Sequence, residues 1–69
     1  MATETEFYNE VRKACEAAGI DETGRSFVEM TCLENAYDAP KGEIWDRAIE
    51  TLKFYVGCND LLAVSRNER

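Results

Sequence analysis

Three cysteines, Cys15, Cys32 and Cys58, are the strongest nucleophiles and the softest metal ligands in this sequence. Their spacing supports neither role. No two of them form a Cys-x-x-Cys pair, and no histidine exists to complete a zinc site or to act as a general base near neutral pH. The count is odd, which argues against the paired framework of a small secreted disulfide protein. The expectation is three small core residues in a reducing compartment, because a free cysteine packs as a small hydrophobe. Nothing beside any of them argues for a lowered thiol pKa.

The carboxylates are the other chemically capable set. Fourteen acids stand against eight bases, for a net charge of −6. They alternate with polar residues on helical faces and form no Asp-rich loop of the kind that holds calcium. Asp21-Glu22 is the one adjacent acidic pair. The four glycines stand singly, so no loop cradles phosphate, and no Gly-x-Ser-x-Gly elbow occurs. These features predict a protein without catalytic activity, metal or cofactor.

The charge also bears on partners. A net negative surface disfavours binding to nucleic acid or to an anionic membrane. A helix-turn-helix reading of Ala14 to Ile20 fails at the next residues. Asp21-Glu22-Thr23-Gly24-Arg25 brings two acids and one base where a groove-reading helix needs basic and polar residues. Mimicry of nucleic acid is the opposite idea, and the even spread of acids among bases weakens it. No apolar run reaches the length of a membrane span. The acidic, polar start Met1-Ala2-Thr3-Glu4 does not read as a signal peptide, so a cytoplasmic location is expected.

The elements that carry these residues are punctuated by Pro40 and by Gly19, Gly24, Gly42 and Gly57. A first helix is expected over 4–18. Thr3 and Glu6 match a capping box, and Phe7, Val11, Ala14, Cys15 and Ala18 form one apolar face. Gly19 and Ile20 then suit a Schellman end. A second helix is expected over 26–38, opened by the Ser26/Glu29 capping box; Asp21 or Thr23 could start it earlier, but Gly24 weakens that stretch. It is apolar on two sides. Phe27, Met30, Leu33 and Tyr37 form the expected core stripe, while Val28 and Cys32, extended by Ala36, form a spare one. A third helix over 41–56 places Ile44, Trp45, Ala48, Ile49, Leu52, Tyr55 and Val56 on a broad apolar face. Gly57 interrupts it, and Asn59 could cap a short fourth helix over 60–66, packed back through Leu61, Leu62 and Val64. A continuous helix through Gly57 and a short strand at 62–64 are the alternatives. Residues 65–69 read as a frayed polar end.

The expected fold is therefore all-α: a small three-helix bundle, with room for a short fourth C-terminal helix, in one domain over 1–69. A chain of 69 residues buries only about 60% of its unfolded surface, so completion by a second copy is expected.

Function is then sought in apolar residues that this fold does not need. Phe54 stands among Glu43, Arg47 and Glu50, and Leu61 would share its side of a continuous helix. Val28 and Cys32 form the spare stripe of the second helix, and Tyr8 edges the first. These five are the candidate partner or dimer interface. The expected function is a protein-binding regulator or inhibitor acting as a homodimer through helical faces. In size and composition alone it is similar to small acidic products of phages and mobile elements. The alternatives are a nucleic-acid-related role or a structural subunit of a larger assembly.

Overall fold

A computed structural model describes residues 1–67. The polar end expected at 65–69 thus lies partly outside the described residues. Four helices follow one another: α1 (Glu4–Ala18), α2 (Glu22–Ala36), α3 (Ile44–Gly57) and α4 (Leu61–Ser65). No strand occurs among the described residues, and the Leu62–Val64 segment is helical.

The first helix forms where its local signals place it. The Thr3 hydroxyl accepts from the Glu6 N–H at 3.2 Å. At the other end Gly19 adopts φ 72°. Its N–H donates to the Glu16 carbonyl while that of Ile20 donates to the Cys15 carbonyl. That pair of bonds is a Schellman motif, which needs a residue comfortable in the left-handed region.

The second helix begins earlier than expected. Asp21, not Ser26, is its cap: the carboxylate accepts from the Gly24 N–H at 2.9 Å. Ser26 lies inside the helix and donates to the Glu22 carbonyl. The extra turn places Gly24 in a buried position, where an added Cβ would lie 2.6 Å from Ile20 Cγ2 and 3.1 Å from Ser65 Cβ. Glycine in a helix costs roughly 1 kcal/mol relative to alanine. Here it permits the close seating of α4 on α2.

The connection from α2 to α3 is longer than expected. Gly42 has φ 97°, and the Glu43 N–H closes a turn on the Pro40 carbonyl. The third helix therefore starts at Ile44 and not at 41. It also continues through Gly57. The break falls at Asn59, whose φ of 58° is left-handed. Its N–H donates to the Val56 carbonyl and that of Asp60 to the Tyr55 carbonyl. Asn59 thus ends α3 by the same bond pattern as Gly19 ends α1, and does not cap α4. Asparagine tolerates this conformation better than most residues with a side chain.

α1 and α3 begin at the same end of the molecule. The Ala2 N–H donates to Asp46 Oδ1 at 2.7 Å, and the Phe7 and Trp45 rings lie 5.8 Å apart. α2 returns between them, and α4 crosses the far end. The core is Phe7, Val11 and Cys15 of α1, Val28, Cys32 and Ala36 of α2, Ala48 and Leu52 of α3, and Leu61 and Val64 of α4. The radius of gyration is 11.0 Å, matching the value of about 11 Å for a compact chain of this length. All four helices of the chain contribute to this core.

The facing of α2 is the main correction. Its buried ladder is Gly24, Val28, Cys32 and Ala36, spaced four apart. Val28 and Cys32 are each 0% exposed. They are core residues and offer no surface to a partner. Met30 and Tyr37, expected inside, are exposed, Tyr37 at 85%. Phe27 and Leu33 are half-buried. The large residues lost because the small four-residue ladder lets α3 and α4 approach the helix closely, as ridges in i±4 rows do.

Candidate functional site

Part of the surface not consumed by this core lies along the seam between α1 and α3. Three hollows follow one another there. At the end where both helices begin, one of about 460 Å³ is bordered by Glu6, Asp46, Ile49, Glu50 and Lys53. Lys53 is shared with a second, of about 410 Å³, bordered also by Glu10, Lys13, Leu52 and Gly57. Ala14 and Val56 are shared with a third, of about 420 Å³, at the corner between α3 and α4. This row of three hollows along the seam is termed the trench.

The corner hollow is the apolar end. Ala14, Ala17 and Ala18 of α1 form one wall, and Val56 of α3 with Leu61 and Leu62 of α4 form the other. Asn59 supplies its one bordering polar side chain. Three alanines leave room because each side chain ends at Cβ. The facing Val56 and Leu62 do not fill that room, and both remain exposed. The Schellman turn at Asn59 aims α4 so that Leu61 points into the core while Leu62 stays at the surface.

Of the expected interface residues, Phe54 and Tyr8 are exposed, at 63% and 37%. Leu61 is 5% exposed and contributes to the trench floor beside Val56. Phe54 and Leu61 do not share a face, because the chain turns at Asn59 between them. Phe54 stands on the solvent side of α3 with its ring edge-on to Tyr55, centroids 5.7 Å apart. Tyr8 is 5.1 Å from Phe7 and 6.2 Å from Trp45, centroid to centroid, which makes it the rim of an aromatic cluster. Val28 and Cys32 are internal. Sequence reasoning missed Ala17, Val56 and Leu62 as a surface. The signal was present as Ala14-x-x-Ala17-Ala18, small residues at helical spacing, but its meaning depends on what lies opposite.

The site offers little for chemistry. Among the described residues, no cluster of three or more His, Cys, Asp or Glu could hold a metal ion. No buried side-chain nitrogen or oxygen among them lacks a hydrogen bond. Cys15 and Cys32 are buried and Cys58 is exposed. Burial, reinforced by the neighbouring Cys15 thiol, pushes the Cys32 thiol up to about 12. Burial also raises that of Cys15, partly offset by Arg25, with Glu29 adding to the rise. Both thiols are held neutral, the opposite of an activated nucleophile. No helix among the described residues is long and apolar enough to cross a membrane. No family model, curated protein or solved structure matches the chain.

Proposed function

We propose that this chain is a non-catalytic, protein-binding regulator or inhibitor that docks a partner through the apolar end of the α1–α3 trench, in the cytoplasm. The observation that carries the reading is the open hollow at the α3–α4 corner, with Val56 and Leu62 exposed on its wall. A concave apolar surface beside solvent gains from being covered, at about 25 cal/mol for each Å² removed from water. The bundle holds its walls on helices, so little ordering is required on binding. The three free cysteines suit a reducing compartment.

The test is capture from cells of the source, comparing the wild-type chain with Leu62→Asp and Phe54→Ala. A stoichiometric protein partner that is lost with Leu62→Asp and kept with Phe54→Ala supports this surface. Retention of the partner by Leu62→Asp overturns it. Recovery of nucleic acid, released steeply by salt, supports the nucleic-acid reading instead.

A second reading is homodimerisation through the opposite side of α3. It is favoured by Phe54, an exposed aromatic held edge-on by Tyr55. Light scattering across protein concentration checks it. A dimer dispersed by Phe54→Ala supports this reading, and a monomer at high concentration removes it.

A further inference from the structure

We propose that the α3–α4 turn is a hinge, and that two copies of this chain exchange α4, each seating it on α2 of the other. This goes beyond the docking role proposed above. The fold itself names the occupant of the seat on α2, because α4 already fills it. Leu61, Val64 and Ser65 are buried there, and a Cβ added at Gly24 would lie 3.1 Å from Ser65 Cβ. A second copy carries the same element and the same seat.

Local and tertiary preferences disagree at this turn. α3 passes through Gly57, and the reversal falls on Asn59 at φ 58°. A residue with a Cβ is disfavoured in the left-handed region, asparagine less than most. The turn also leaves α4 with no side-chain cap. A straight helix from α3 into α4 would remove the left-handed residue. It would give the Leu61, Leu62 and Ala63 N–H groups the carbonyls of Gly57, Cys58 and Asn59 as partners four residues back. The turn's bonds from Asn59 to Val56 and from Asp60 to Tyr55 would be replaced one for one. What holds the turn closed is the burial of Leu61 and Val64. In a single copy, straightening strips both from the core. In a pair that exchanges α4, both are buried again and the hinge is helical as well. Exchange of an identical element restores the other contacts, so the two forms differ only at the hinge and in the cost of association. Short hinges under strain favour such exchange. Residues 57–60 are all exposed, so no packed side chain resists straightening. The net charge of −6 on each copy opposes pairing and favours the closed form at low salt. In the pair, the corner hollow is shared: Ala14, Ala17 and Ala18 of one copy face Leu61 and Leu62 of the other.

Light scattering over a range of protein concentration and salt compares the wild-type full chain with Asn59→Ala and Asn59→Gly. Alanine is disfavoured in the turn and favoured in the helix, and glycine the reverse. Asn59→Ala is expected to raise the dimer association constant about thirtyfold, since a left-handed residue is relieved in each of two hinges. Asn59→Gly is expected to lower it about tenfold or more. Salt raised from about 50 to about 300 mM should strengthen pairing, because it screens two acidic copies. An Asn59→Ala dimer refolded from equal parts of ¹³C,¹⁵N-labelled and unlabelled chain should show nuclear Overhauser contacts between Gly24 of one copy and Ser65 of the other. A dimer in which Gly24 and Ser65 meet only within each copy overturns the exchange in favour of face-to-face pairing. An Asn59→Ala chain that stays monomeric at millimolar concentration overturns it as well. So does one that is unfolded at that concentration, because exchange would restore its fold.

Discussion

The two sides of α4 meet small residues in opposite ways. Toward α2, Ser65 seats on Gly24 so closely that a Cβ added there would lie 3.1 Å from Ser65 Cβ, and α4 would have to give by a few tenths of an ångström. Toward α1, Leu61 and Leu62 face Ala14, Ala17 and Ala18 across an open hollow of about 420 Å³. Small residues on a helix permit close approach, but they do not compel it. Where a neighbour comes in, they become core. Where none does, they become a groove. The α2 side is therefore expected to govern stability, and the α1 side to govern what the protein binds.

Substitutions at the closed side should produce the largest effects. Val28→Asp places a charge among fully buried neighbours and is expected to destabilise by about 4 kcal/mol or more, enough to lose cooperative urea unfolding followed by circular dichroism. A folded Val28→Asp protein of near wild-type stability would mean that α2 faces the other way.

Alkaline pH tests the same interior. The buried Cys32 thiol titrates in the folded state at about 12, above the ordinary thiol value of 9.0. The folded state then holds the proton more tightly than the unfolded one. This contribution is fully present below about pH 9 and is lost as pH rises toward about 12. The loss is roughly 1 kcal/mol per pH unit within that window. Cys32→Ala should flatten the slope when unfolding midpoints are compared across pH. A thiol reagent at neutral pH should label Cys58 in the folded protein, and Cys15 and Cys32 only as the chain unfolds.

Gly24→Ala measures the contact itself. Helix propensity favours alanine by about 1 kcal/mol, yet the new methyl must displace Ile20 or part Ser65 from the helix. Overpacking of this kind costs about 1–3 kcal/mol, so the net expected outcome is a modest fall in the thermal midpoint. A rise would show that α4 is loosely held. Asn59→Ala should cost about 1 kcal/mol through the left-handed backbone at the α3–α4 turn.

The smallest stability effect belongs to the open side. Leu62→Asp is expected to change unfolding free energy by less than about 0.5 kcal/mol while removing partner binding. If it unfolds the protein, the trench is part of the core and the contrast between the two sides collapses.

The sequence by itself determined a good deal of this protein. Short-range signals, complete within a few residues, set α1 from its Thr3 cap to its Gly19 end. They also set the all-helical class, but left open whether a fourth helix follows Gly57. Phe7, Val11 and Cys15 were legible as core because one apolar stripe on α1 had no competitor. The α2 facing was not legible, since two stripes competed and the larger side chains were the more persuasive. Only the bodies of α3 and α4, approaching over Gly24, Val28, Cys32 and Ala36, decided between them. The same holds for the end of α3. Gly57 is the obvious breaker in the sequence, but the helix passes through it and turns at Asn59. The direction of α4 then separates Leu61, inside, from Leu62, outside. The rotation of a helix about its own axis and the direction of the next element depend on the shape of what packs against them. For that reason the trench, unlike the helices that border it, exists only in the tertiary structure.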